Sequence, residues 1–216
     1  MTEHNFDHMR RAMIANLLRT TGTNDPRVLA AFGEVPRERF LPQVKWALAY
    51  ADALVPLTEG RSLNNPMAVG RLLTEASPQK GERALVVGAA TGYSAALLSR
   101  LVGPVVAVEE DPELAALARE ALAGYDVELV QGPLAQGHTA GGPYDLVFID
   151  GAVEFVPDSL VAQLTEGGRV ATGIVDQGVT RLALGRRAGD GFGTASFTDA
   201  AAAILPGFVR PKTFTF

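Results

Sequence analysis

The sequence predicts an α/β fold, a doubly wound sheet covered by helices on both faces, and three observations carry that expectation. Short apolar runs recur at 84–88 (ALVVG), 105–109 (VVAVE), 127–130 (VELV), 144–150 (YDLVFID) and 169–175 (RVATGIV). Segments of helical pattern separate the first of them. The first run ends in a turn of small residues, and the second ends in an acid. Apolar strands without polar alternation, joined through helices, indicate a mostly parallel sheet.

The elements follow in order. Met9, Met13, Ile14, Leu17 and Leu18 recur at helical spacing. Asp25 suits an N-cap, Pro26 a first helical position, and Val28, Phe32 and Val35 a buried stripe ended by Pro36. Between Phe40 and Pro66 the chain is punctuated by Pro42, Pro56 and Gly60, which predicts a loop region. A helix restarts after Pro66, with Met67, Val69, Leu72 and Leu73. Residues 94–102 read as a helix, and so do 112–124, with Asp111 as N-cap and Gly124 as the stop. The polar, Gly-rich stretch from Gly185 to Gly193 reads as a hairpin loop, and the terminal FTF as a last strand. At about 150 residues per domain, a chain of 216 residues is expected to be one domain, 1–216. Within it, residues 1–80 form a helical cap on an α/β sheet of 81–216.

Composition narrows the function. With 47% apolar and 20% charged residues, neither disorder nor a fibre is expected. Lys+Arg total 19 against 24 Asp+Glu, a net charge of −5, which argues against gripping nucleic acid by its phosphates. The absence of Cys excludes disulfides, thiolate nucleophiles and Cys-based metal sites. Of the three His, His4 and His8 sit near the N-terminus and His138 far along the chain, so no metal is expected. No secretory signal is visible, and no apolar run approaches the roughly eighteen residues of a membrane span. The expected location is the cytoplasm. Oligomeric state is not legible.

The chemistry lies in the turn ALVVGAATGYSAALLSRL and the strand VVAVEED. Gly88 and Gly92 let a ligand approach the backbone, and Glu109 closes the next strand 21 residues after Gly88. An acid there accepts hydrogen bonds from ribose hydroxyls. The turn G-A-A-T-G lacks the three-glycine spacing of a pyrophosphate site, and no Gly-Lys-Ser/Thr P-loop occurs. None of the four Tyr is followed four residues later by Lys, which removes the catalytic pair of a short-chain oxidoreductase. S-adenosyl-L-methionine, a ribose without phosphate, fits best.

From about Met13 to about Val175 the chain resembles the protein-L-isoaspartate O-methyltransferases. NDPRVLAAFGEVPRERFLP, AYADALVPLTEGRSLNNPMAVGRLLTE and the G-A-A-T-G-Y turn carry the likeness. It implies a Rossmann-like methyltransferase sheet with a reversed last strand, and methylation of the free carboxylate of isoaspartyl residues in damaged proteins or peptides. It places Ser62 and Asn64 in the active site, and Gly88, Ala90, Gly92, Tyr93, Glu109, Gly132, Pro133, Leu134 and Asp150 around the cofactor. The sequence departs from the family pattern where Asn64 replaces a Ser, Val86 an acid, Ala90 a Gly, and Pro133 the Asp of a Gly-Asp-Gly segment. Asp150 is the candidate substitute acid. An isoaspartyl carboxylate is ionised at neutral pH and needs no general base, so this chemistry needs neither Cys nor a central His. The departures leave two alternatives: a methyltransferase with a different substrate, or a family member without catalysis that serves as a binding or regulatory module.

Overall fold

The computed structural model describes residues 5–210. The FTF expected as a last strand lies outside them, as does His4. Helix α1 (Phe6–Met13) starts where Asn5 accepts the His8 N–H, and it runs on into a π-helical turn, Ile14–Leu18. Helix α2 (Pro26–Glu34) is capped by Asp25, which accepts the Arg27 N–H. The stretch expected to be loop holds two 3₁₀ turns, Arg37–Phe40 and Gln43–Leu48. It also holds a small hairpin, β1 (Val55–Thr58) with β2 (Arg61–Leu63). Strands of three and four residues with a Pro inside leave no alternation to read. Helix α3 (Pro66–Ala76) follows, with Asn65 accepting the Ala68 N–H at 2.7 Å.

The remaining elements are β3 (Ala84–Val87), α4 (Tyr93–Leu98), β4 (Val105–Glu109), α5 (Pro112–Ala121), β5 (Val127–Gln131) and β6 (Tyr144–Val153). After them come α6 (Asp158–Val161), β7 (Leu164–Asp176), β8 (Val179–Ala188) and β9 (Gly191–Asp199). The seven-stranded sheet runs β5-β4-β3-β6-β7-β8-β9. Pairing is parallel from β5 to β7; β8 is antiparallel to β7, and β9 to β8. The reversal at the end of the sheet therefore falls on β8, within a hairpin. Most of Gly185–Gly193, expected as loop, lies in these two strands, and the turn is confined to Gly189 and Asp190. Arg186 and Arg187 look loop-like because strands near a sheet edge carry charges toward solvent.

Strand alternation divides the core. Ala84, Val86, Ala107, Leu146 and Phe148 face the N-terminal helices, while Leu85, Val87, Val106, Val108, Val147 and Ile149 pack on the opposite face. At the amino ends of β3 and β6, the buried Arg169 side chain ties elements together. It donates to the carbonyls of Ala76, Ser77 and Asp145 and to both carboxylate oxygens of Glu82.

Candidate active site

The carboxyl ends of β3 and β4 form the site. Between Gly88 and Gly92 the chain takes positive φ three times: +75° at Gly88, +50° at Ala90 and +97° at Gly92. Glycine takes that region freely, whereas alanine at Ala90 does so at a cost. The Gly88 and Ala89 N–H groups both donate to the Val108 carbonyl, which binds the turn to β4.

Glu109 is wholly buried at the end of β4. One oxygen accepts from Arg61 Nη1 at 2.5 Å, the Glu110 N–H at 2.9 Å and the Asp111 N–H at 3.0 Å. The other accepts from Arg61 Nη2 at 2.7 Å and the Ala90 N–H at 2.6 Å. The Ala90 bond helps hold the strained turn, and the paired guanidinium is the strongest geometry open to a carboxylate. Arg61 is itself buried, on β2, and no sequence reading pointed to it.

Asp150, on β6, is buried beside Asn64, whose Nδ2 donates to it at 3.3 Å. Asn64 Oδ1 accepts the Ala203 N–H, and the Asn64 carbonyl accepts Arg37 Nη2 at 2.6 Å. Burial pushes the Asp150 carboxyl above its ordinary value, against the opposing effects of Ser94, Asn64 and the Arg37 and Arg61 charges. A carboxyl raised in the folded state contributes stability that is full at low pH and lost as pH rises through its folded pKa. Asp150→Asn is therefore expected to raise the melting temperature at neutral pH. The gain should shrink as pH falls toward the ordinary Asp range; thermal melts from pH 4 to 8 that show no pH-dependent difference would refute it.

The other expected residues are spread more widely. Ser62 lies mid-β2 opposite Pro56. Tyr93 is buried in α4 against Phe32 and Phe40, with the Arg37 guanidinium 4.7 Å from its ring centre. The loop 132–134 is latched to the end of β4: the Gly132 N–H donates to the Glu109 carbonyl, and the Leu134 N–H to the Glu110 side chain. Pro133 between them has no N–H to offer.

The segment 200–208 is the largest feature that sequence reasoning missed. Ala203 and Leu205 bond to the backbone of Ala152, and Asn65 Nδ2 donates to the Ala201 carbonyl at 2.7 Å. Leu205 lies so close over Gly88 that a Cβ there would meet its side chain at 2.8 Å. At Gly151 a Cβ would meet the Ala203 carbonyl at 2.4 Å. The backbone contact demands glycine at Gly151, whereas at Gly88 the positive φ favours it.

Residues 8–200 match the family model described as protein-L-isoaspartate(D-aspartate) O-methyltransferase. The chain belongs to that family. Protein-L-isoaspartate O-methyltransferase 1 of Rhodopseudomonas palustris (strain HaA2) is 36% identical over 181 residues, 82% of this chain and 74% of the relative. A solved protein-L-isoaspartate O-methyltransferase structure superposes with a TM-score of 0.81 at 27% identity, covering 92% of this chain. This chain spans 66% of that structure's length, just under two thirds. A Plasmodium falciparum structure assigned to the same family, in complex with S-adenosyl-L-homocysteine, has a TM-score of 0.78 at 17% identity and shares the fold. It covers 94% of this chain and 99% of its own.

Within this family fold, the strand-end acid is a buried hydrogen-bond acceptor set against a turn of positive φ. That acid, Glu109, is paired with Arg61, and Gly88 lies under Leu205.

Proposed function

We propose that this protein transfers a methyl group from S-adenosyl-L-methionine to the free carboxylate of L-isoaspartyl residues in damaged proteins and peptides, as a cytoplasmic repair enzyme. The observation that carries the reading is the position of Glu109. A buried carboxylate closes β4 beside a Gly88–Gly92 turn, in a chain of this family. The cofactor supplies a methyl group already activated on a sulfonium, so the protein has only to align donor and acceptor and exclude water. Glu109 receives the ribose hydroxyls. Gly88, Ala90, Gly92 and the 132–134 loop line the adenosyl group, with Tyr93 supporting the turn from below. Asn64, held by Asp150, offers its amide N–H to the acceptor carboxylate, and Ser62 lies two residues earlier, on β2. Residues 1–80 and 81–216 act together as one domain.

The test is transfer of tritiated methyl to an isoaspartyl peptide, with the aspartyl peptide of the same sequence as control. Label on the isoaspartyl peptide alone is expected. S-adenosyl-L-homocysteine binding without transfer to either peptide would overturn the assignment. It would leave the two alternatives, a methyltransferase with a different substrate and a binding or regulatory module.

A further inference from the structure

We propose that Arg61 is an internal competitor for the cofactor site, occupying the acid that the ribose must use and setting the affinity for adenosyl ligands. The inference rests on the methyltransferase reading above. A carboxylate offers about four lone-pair positions. Glu109 already receives five donors, two of them from Arg61 and three from backbone N–H groups of Ala90, Glu110 and Asp111. The three backbone donors are fixed by the turn and by the start of α5. Arg61 is the one partner on a flexible side chain, so the ribose hydroxyls reach Glu109 only by displacing it.

The structure provides a place for the displaced guanidinium. A cavity of about 360 Å³ opens beside it, lined by Arg61, Glu59, Glu110, Asp111, Pro112 and Pro206. Three carboxylates on that rim would receive a cation that leaves Glu109. Arg61 Nε lacks a partner in its inward position, so the inward position satisfies the head of the guanidinium but not its base. Two positions follow: inward on Glu109, where the buried carboxylate stays neutralised, and outward on the rim, where Glu109 is released to the ribose. Pro206 is a wall of the same cavity, and Leu205 beside it covers Gly88. The space that would receive the guanidinium therefore adjoins the cover over Gly88.

The experiment is calorimetric titration of S-adenosyl-L-homocysteine into the full chain and into Arg61→Gln and Arg61→Lys, with circular dichroism melts to establish folding. Gln carries no charge and spans only one carboxylate oxygen. Lys keeps the charge but makes a single point contact. Arg61→Gln is expected to bind at least tenfold more tightly than the native chain, with Arg61→Lys between them. If a folded Arg61→Gln binds no more tightly than native, Arg61 is not a competitor, and the methyltransferase reading stands. If Arg61→Gln does not fold, Arg61→Lys decides: tighter than native supports the proposal, and equal or weaker overturns it. If neither the native chain nor any folded variant binds at millimolar ligand, the methyltransferase reading fails and the proposal fails with it.

Discussion

Glu109→Ala is expected to remove about 3 kcal/mol of stability and to abolish measurable S-adenosyl-L-homocysteine binding. Breaking a buried ion pair by deleting one partner costs about 3–5 kcal/mol. The low end applies here because Arg61 has the acidic rim within its reach. The substitution also strips the buried Ala90 N–H of its acceptor, a loss contained in that cost, while the part-buried Glu110 and Asp111 N–H groups turn to water. Ala90, held at positive φ, loses the bond that supports its strained conformation. Urea unfolding measures the first effect and calorimetry the second. A stability change below about 1 kcal/mol would show that the turn does not depend on Glu109.

Arg37→Ala is expected to destabilise by about 3 kcal/mol, as truncating a large buried side chain does when the surroundings cannot collapse. Arg37→Met is expected to stay within about 1.5 kcal/mol of native. The Arg37 side chain is fully buried; it bonds through Nη2 to the Asn64 carbonyl, while Nε and Nη1 have no hydrogen-bond partner among the described residues. Burial is the dominant influence on the group and acts against its charge, opposed by Tyr93 and Asp150. The contribution of Arg37 is therefore mostly volume and contact with the Tyr93 ring, which Met retains. Denaturant unfolding of the two variants settles the matter. If Met proves as damaging as Ala, charge rather than packing holds this region together.

Much of the frame was legible because it rests on local rules. Asp25 and Asp111 cap the helices they were expected to cap, each followed by a Pro in the first turn. The strands from β3 to β6 fall where apolar runs of buried-strand length predict them. The short hairpin β1–β2 and the β8–β9 strands were hidden for opposite reasons. One is too brief to alternate, and the other carries the charges of a sheet edge. In the site, the Gly88–Gly92 turn and Glu109 were readable because strand, turn and acid lie close in sequence. The partnership of Arg61 with Glu109 spans 48 residues, and the cover from segment 200–208 comes from the far end of the chain. No periodicity records either. Tyr93 was assigned to the cofactor by its place in a motif, whereas its helical position turns the ring toward Phe32 and Phe40.

The Arg169 guanidinium fastens the end of α3, the approach to β3 and the start of β6 at the sheet's amino edge. One rim of the molecule is thus riveted, while the opposite rim is closed by the Arg61 side chain and a single strap of chain. The proposed displacement of Arg61 belongs to the unriveted rim alone. The two buried hydrophobic layers lie between those rims, as the spine of a book lies between its edges.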